Sequence, residues 1–279
     1  MIKQLRVTVL ADNCVATPDL LAEHGLSMLI EADNQRILFD TGQGKVLRAN
    51  ADALGIRLSP LDAVVLSHGH YDHTGGLAGL LQEASPSAIF LHPATMQPKY
   101  AKSEYPPHRA IGIPESSRQA LDAVHNRIVW TRSATEVVPG VWCTGEIPRL
   151  RMNGQTATDF FLDAACREPD PICDDQALFI DTTSGLVVIA GCAHAGVSNT
   201  LDRVSELTGP QGGSGVSWRS SSGEGNSQGT GSERQRHRQA KLSNYRAMPL
   251  LRYGRAFVSA LSLPLAGAEC GGWHRTGSW

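Results

Sequence analysis

The sequence predicts an α/β fold of the α+β kind, an αββα sandwich whose two β-sheets face each other with helices outside. Two observations carry this. Paired apolar, β-branched runs separated by turn residues occur in both halves, at 27–39 and at 176–190. A strand, a polar loop rich in metal-ligating residues and a helix start also follow one another twice, over 63–81 and over 186–207. A third observation bounds the fold. From Gln211 to Ser232, 14 of 22 residues are Gly or Ser, and a basic run, Glu233 to Arg238, follows. Such a stretch cannot bury enough apolar area to order itself. The expected organisation is a folded unit over 1–209 and a low-complexity, disordered basic tail over 210–279.

Composition agrees with that division. Of 279 residues 41% are hydrophobic, enough for a sizeable core. The net charge of −2 hides an asymmetry. Residues 1–209 hold 16 Lys+Arg against 24 Asp+Glu, or −8, and residues 210–279 hold 9 against 3, or +6. The six cysteines form no C-x-x-C pair or compact framework, which fits a reducing cytoplasm. Met1 to Gln4 leads straight into a strand, so no signal peptide is expected. No apolar run approaches the roughly 18 residues of a membrane span.

Taken in order, Leu5 to Leu10 alternates as a strand and exits through Asp12-Asn13-Cys14, a turn-prone polar group. Ser27 to Ala32 and Arg36 to Phe39 flank Asp33-Asn34 as a hairpin, ended by Asp40. Gly44 to Leu54 places Val46, Leu47, Ala51 and Leu54 at helical intervals. Ala63 to Leu66 reads as a buried strand and Leu77 to Leu81 as the first turns of a helix; Ala88 to Leu91 is a further buried strand. The stretch from Met96 to Glu115 is broken by prolines and mixes Lys99, Tyr100, Tyr105, His108 and Arg109. It reads as a lid, whose Lys99, His108 and Arg109 can meet an anionic substrate group such as phosphate; an ordinary solvated excursion is the alternative. Strands follow at 127–131 and 137–143, the latter interrupted by Pro139-Gly140. Gln176 to Asp181 and Leu186 to Ala190 make the second hairpin, and a helix runs from Val197 to Leu207.

The chemistry concentrates in residues 67–76, Ser-His-Gly-His-Tyr-Asp-His-Thr-Gly-Gly. His68, His70, Asp72 and His73 put four potential ligands within six residues, between a strand and a helix. His68 and His70 flank one glycine and can turn toward one ion, leaving Asp72 and His73 for a second. Imidazole and carboxylate donors suit catalytic zinc, and manganese or iron accept them too. Gly191-Cys192-Ala193-His194 repeats the arrangement, which makes His194 the third imidazole of the first ion. Cys192 is open to two readings, a thiolate ligand or a small buried side chain.

His68-x-His70-x-Asp72-His73 resembles the signature of the metallo-β-lactamase superfamily of binuclear metal hydrolases. Leu38 to Gly42 looks like the superfamily's strand-to-turn segment. Thr144 to Arg149, Asp174 to Leu178 and Gly191 to Gly196 resemble one branch, named after dihydropterin-ribofuranosylaminobenzene-phosphate synthase. The match covers roughly 1–208 and then stops. The resemblance implies that Asp40 buttresses the ligand loop. It also adds Asn13 and Glu146, which fall within matching segments, to the candidate substrate contacts. Two divalent ions, Zn2+ foremost, are the implied cofactors, with Asp72 and His194 as catalytic residues.

The expected function is a metal-dependent hydrolase using a metal-bound hydroxide on a small phosphorylated or ester-like molecule, such as a pterin-precursor phosphate. Metal lowers the pKa of bound water from about 15.7 to about 7, so no side-chain nucleophile is needed. Two other readings remain open. One is a di-iron redox enzyme on the same scaffold, although such relatives usually place a Glu after the first two histidines. The other is a nucleic-acid binder, suggested only by the basic tail. The oligomeric state is left open.

The resembled branch should continue beyond 210 with a strand, a Gly-Gly-Phe/Leu-His-Leu segment, a helix and a Cys-His-Cys-Thr-Gly segment carrying the last metal ligand. None is present as written. Read one nucleotide downstream, the codons of Trp218 to Ser222 can spell Gly-Gly-Leu-His-Leu, and those of Met248 to Arg252 can spell Cys-His-Cys-Tyr-Gly. Both motifs fall in one shifted frame and in the right order. A frameshift at or shortly before residue 212 is the expectation, with a genuine basic tail as the alternative. The coding DNA decides between them.

Overall fold

The computed structural model describes residues 1–15, 17–151 and 159–209, together with the residue pairs 258–259 and 277–278. Strands β1 (Leu5–Ala11), β2 (Ser27–Ala32) and β3 (Gln35–Phe39) form an antiparallel meander. Helix α1 (Leu47–Ala53) then leads to β4 (Ala63–Val65), which pairs parallel to β3. Helices α2 (Tyr71–Thr74) and α3 (Leu77–Glu83) follow, then β5 (Ala88–Leu91). Two short strands, β6 (Tyr100–Ala101) and β7 (Arg109–Ala110), precede α4 (Glu115–Ala123) and β8 (Ile128–Trp130). The second half holds β9 (Thr135–Val138), β10 (Val141–Cys143), β11 (Phe160–Phe161), β12 (Ala177–Thr182), β13 (Gly185–Ala190) and α5 (Val197–Thr208). The dipeptides β14 (Val258–Ser259) and β15 (Gly277–Ser278) complete the described strands.

The sheets are ordered β15-β1-β2-β3-β4-β5-β8 and β14-β13-β12-β10-β9, and a small third sheet runs β11-β6-β7. Side-chain alternation decides how the layers stack. Because successive residues of a strand point to opposite faces, β2 sends Met28 and Ile30 into one core and Leu29 into another. In the second sheet, Leu178, Ile180, Val187 and Ile189 join Met28 and Ile30, whereas Phe179 and Val188 face the other way. The first core therefore lies between the sheets. The second packs α1, α3 and α4 on the outer face of the first sheet, and the third packs α5 on the outer face of the second. Both faces of each sheet are covered, which is why the central strands read as continuous apolar runs. Each fully buried Leu, Ile or Phe contributes on the order of 1.5–3 kcal/mol of transfer free energy.

The expected αββα layering is therefore the observed one. Not foreseen were α4, whose first turn falls at the end of the stretch read as a lid, α2 within the ligand motif, and the third sheet. That sheet pairs four residues of 96–115, with β6 joined to β7 on one side and to β11 on the other. The division at 209/210, the disordered tail and the frameshift fall almost wholly outside the described residues. Of 210–279, only β14, beside β13, and β15, beside β1, are described, each as two residues of antiparallel strand. Among the described residues, no helix is long and apolar enough to cross a membrane.

Candidate metal centre

Two loops at one rim of the sandwich bring the ligands together. The first follows β4 and carries His68, His70, Asp72 and His73 into α2; the second follows β13 and carries Cys192 and His194 toward α5. Gly69 is required in the first loop because a Cβ there would lie 2.6 Å from the Thr95 carbonyl oxygen.

The imidazoles of His68, His70 and His194 converge. Nε2 of His68 is 2.9 Å from Nδ1 of His70 and 3.3 Å from Nε2 of His194. A second convergent set is His68, His73 and Cys192, with Nε2 of His73 3.1 Å from Sγ of Cys192. Within each set the donor atoms lie within 4.8 Å of one another. These are the sets of three that the described residues form. Asp72 stands at their edge, its Oδ2 3.2 Å from His24 Nε2 and 3.7 Å from His73 Nε2.

Asp40 and Ser67 fix which ring nitrogens face the cluster. Asp40 is fully buried with a φ of 60°, a left-handed conformation that Asp tolerates. Its Oδ1 accepts from the Ser67 amide at 2.7 Å and its Oδ2 from the Ser67 hydroxyl at 2.7 Å. A hydroxyl has one proton to give. Ser67 Oγ therefore accepts from Nδ1 of His68, 2.9 Å away, and leaves the His68 Nε2 lone pair to the cluster. Nδ1 of His73 donates to Asp40 Oδ2 at 2.6 Å and leaves Nε2 facing Cys192. This is how proteins aim metal-binding imidazoles.

Electrostatics suit the donor set to a cation. Burial holds His68 and His70 well below the ordinary imidazole range, with the neighbouring histidines adding to it. Both are therefore neutral at pH 7, the form that ligates metal. For His73 burial works the same way, but Cys192 and Asp40 outweigh it and hold the imidazole well above its usual range. Three imidazole nitrogens meeting with too few protons to share, beside a thiol, fit a divalent metal. Nε2 of His70 is also buried without a hydrogen-bond partner among the described residues.

The cluster opens into a cavity of about 130 Å³. Phe160 of β11 forms part of its wall, its ring 5.0 Å from His70 and 5.6 Å from His194. Arg109 and Tyr71 stand at another part, the guanidinium 5.6 Å above the ring. Asn13 and His24 also line the cavity. Asn13 accepts from the Gly25 amide at 2.9 Å and so shapes the loop that presents His24. Gly25 passes so close to the ligand helix that a Cβ would lie 2.3 Å from the Asp72 carbonyl oxygen.

Of the candidate substrate residues, Asn13 and Arg109 reach the cavity; Lys99, His108 and Glu146 do not form its wall. Lys99 is 1% exposed and its ammonium lies between Asp170, at 2.8 Å, and Asp174, at 2.9 Å. That ion pair, with both partners desolvated, removes Lys99 as a ligand for substrate phosphate. His108 accepts from the Ser103 amide within its own loop at 3.3 Å, and Glu146 is an exposed residue whose carboxylate is engaged by Cys173. His68, His70, His73 and His194 are brought together, and Cys192 joins them more closely than Asp72 does. The sequence offered no signal for His24, Phe160 or the Lys99 pairing, because their partners lie tens of residues away. Tyr71 sat inside the motif without an assigned role.

A fold with two such loops at one rim defines a class, the metal-dependent hydrolase-like αββα proteins, and comparison with known proteins agrees. Residues 21–144 match the metallo-β-lactamase superfamily. The 7,8-dihydropterin-6-methyl-4-(β-D-ribofuranosyl)-aminobenzene-5'-phosphate synthase of Methanocaldococcus jannaschii is 29% identical over 199 residues, 67% of each chain. An uncharacterized protein of the same archaeon, MJ0448, is 30% identical over 213 residues, 74% of this chain and 78% of that one. Among solved structures, Tm1679, a metal-dependent hydrolase of the β-lactamase superfamily, superposes with a TM-score of 0.57 at 30% identity, covering 72% of this chain and 71% of that one. The chain belongs to the metallo-β-lactamase superfamily.

Proposed function

We propose that this chain is a binuclear metal enzyme that hydrolyses, or displaces a phosphate group from, a small anionic substrate. The observation that carries the reading is the convergence of His68, His70 and His194 beside His73 and Cys192, all but the fully buried His68 lining one cavity. His68, His70 and His194 would hold the first ion, and His73, Cys192 and Asp72 the second. Three imidazoles with an open position suit zinc, and the thiolate strengthens that preference over manganese. When bound, such ions lower the pKa of water and supply a nucleophile at neutral pH.

The chain's own residues do the rest. Asp72, with His24 against its Oδ2, is placed to receive a proton from the attacking water. Arg109, fixed over Tyr71, is placed to pair with an anionic group of the substrate. Phe160 shields the His70 and His194 edges from bulk water. The pterin-phosphate relative supports a phosphorylated substrate, and a pterin-precursor phosphate is the first to try.

Metal content measured by mass spectrometry on wild type and on the double variant His68→Ala/His70→Ala tests the centre; equal content in the two refutes it. A parallel screen uses phosphodiesters, phosphomonoesters, lactones and thioesters, each with and without exhaustive chelation. Hydrolysis that survives chelation refutes the metal mechanism.

A further inference from the structure

Beneath the metal centre, at the entry to β12, lie Asp174, Asp175 and Gln176, all buried. Oδ2 of Asp174 accepts from the amide of Gly69, the residue between His68 and His70, at 2.6 Å. Oδ2 of Asp175 accepts from the amide of Ala195, the residue after His194, also at 2.6 Å. Gln176 holds the start of the first loop, its amide donating to the Ser67 carbonyl at 3.0 Å and its Nε2 to the Leu66 carbonyl at 2.8 Å. In the turn that leads into β12 the two carboxylates diverge, and one reaches each loop.

We infer that Asp174 and Asp175 are positioning residues that set the distance between the two metal-ligand loops. The proposal rests on the metal-centre reading above. Neither Asp touches the convergent donor atoms; each acts through the backbone of a loop that carries them. A backbone amide is the right handle, because it fixes the loop without competing for an imidazole nitrogen. Two carboxylates on adjacent residues in a buried setting repel each other, and the structure answers this at Asp174. Lys99 Nζ sits on Asp174 Oδ1 at 2.9 Å and on Asp170 Oδ2 at 2.8 Å. Asp170 is itself turned by the Ile172 amide, which donates to its Oδ1 at 2.7 Å. The same lysine ties in the far side of the first loop. Its carbonyl accepts from the Ile111 amide at 2.8 Å, and the Ile111 carbonyl accepts from the Tyr71 amide at 2.9 Å. His70 is thus flanked by two anchored amides, Gly69 on Asp174 and Tyr71 on Ile111. The buried lysine that the sequence offered to substrate belongs to the frame of the metal centre.

The test is cobalt affinity and the visible ligand-field spectrum of the full chain, for wild type, Asp175→Ala, Asp175→Asn, Asp174→Asn and Val141→Ala. Asp175→Asn keeps an oxygen for the Ala195 amide, whereas Asp175→Ala does not. Val141→Ala removes buried volume between the sheets, away from both loops. The expected result is cobalt binding about 10- to 100-fold weaker in Asp175→Ala, with a shifted spectrum. Asp175→Asn and Val141→Ala should stay close to wild type. Asp174→Asn should weaken binding comparably, since Gly69 and Lys99 donate to different carboxylate oxygens and the amide NH2 that replaces one of them cannot accept. Wild-type affinity in Asp175→Ala, or an equal loss in Val141→Ala, overturns the proposal. If Asp175→Ala does not fold, Asp174→Asn decides by the same comparison. A wild-type chain that takes up no cobalt overturns the metal-centre reading instead.

Discussion

Oδ2 of Asp40 lies 2.6 Å from Nδ1 of His73, with both side chains buried. The pair joins the end of β3 to the ligand helix and commits the His73 proton to the side away from the cluster. The same carboxylate receives the Ser67 amide and hydroxyl, so one residue orients His73 directly and His68 through Ser67. If the proposed centre is right, Asp40→Ala should weaken metal binding about 10- to 100-fold, most at the set of His73 and Cys192. Competition titration with a chromophoric chelator measures this, and unchanged metal affinity refutes it.

Lys99 offers a stability prediction. Lys99→Met keeps most of the apolar stem but leaves Asp170 and Asp174 buried without their cation. Removing one partner of a buried ion pair costs about 3–5 kcal/mol. Urea unfolding at neutral pH should show a loss of that size, and a loss below about 1 kcal/mol would mean that water enters to solvate the carboxylates.

Asp175 makes stability depend on pH. Burial raises its carboxyl from 3.8 to about 6, against the amide of Ala195, which favours the charged form. A carboxyl raised in the folded chain binds its proton there first. Its favourable contribution is fully present below pH 3.8 and is lost as pH rises through about 6. Two units correspond to about 3 kcal/mol. In metal-free protein, Asp175→Asn should flatten the pH dependence of urea unfolding across that window relative to wild type. An unchanged slope counts against the shift.

Arg109 tests the substrate side. It is exposed, lines the cavity and stacks over Tyr71, with its charge felt only weakly at His70. Arg109→Ala should raise KM for an anionic substrate about tenfold, a loss of about 1.4 kcal/mol, with metal content unchanged. A neutral ester substrate should show little difference. Equal losses on both substrates would assign Arg109 to the support of Tyr71.

How much of this was legible beforehand follows from range in sequence. The four ligands between His68 and His73 share one short loop, and apolar runs on either side place that loop between a strand and a helix. His194 could be placed because its strand, loop and helix repeat the pattern of the first set. The paired apolar runs at 27–39 and 176–190 likewise pointed to two hairpins and so to the layered fold, although runs buried on both faces do not show which face is the inner one. These are local periodicities, and local periodicity is what a sequence displays.

The partners were decided by tertiary structure. Lys99 looks, as a residue, like a phosphate ligand; only the packing of 96–101 against 170–174 shows that its charge is spent on two carboxylates. Cys192 was open between ligand and core in the sequence, and only the fold sets its sulfur 3.1 Å from Nε2 of His73. Asp174 and Asp175 carried no readable role, because a hydrogen bond to Gly69 spans 105 residues and one to Ala195 spans 20. The sequence by itself determined which potential donor side chains the chain carries and on which strand ends they stand. Which of them share an ion, and which carboxylates hold their loops, depends on distances between segments remote in the chain, and the packing of the two sheets sets those distances.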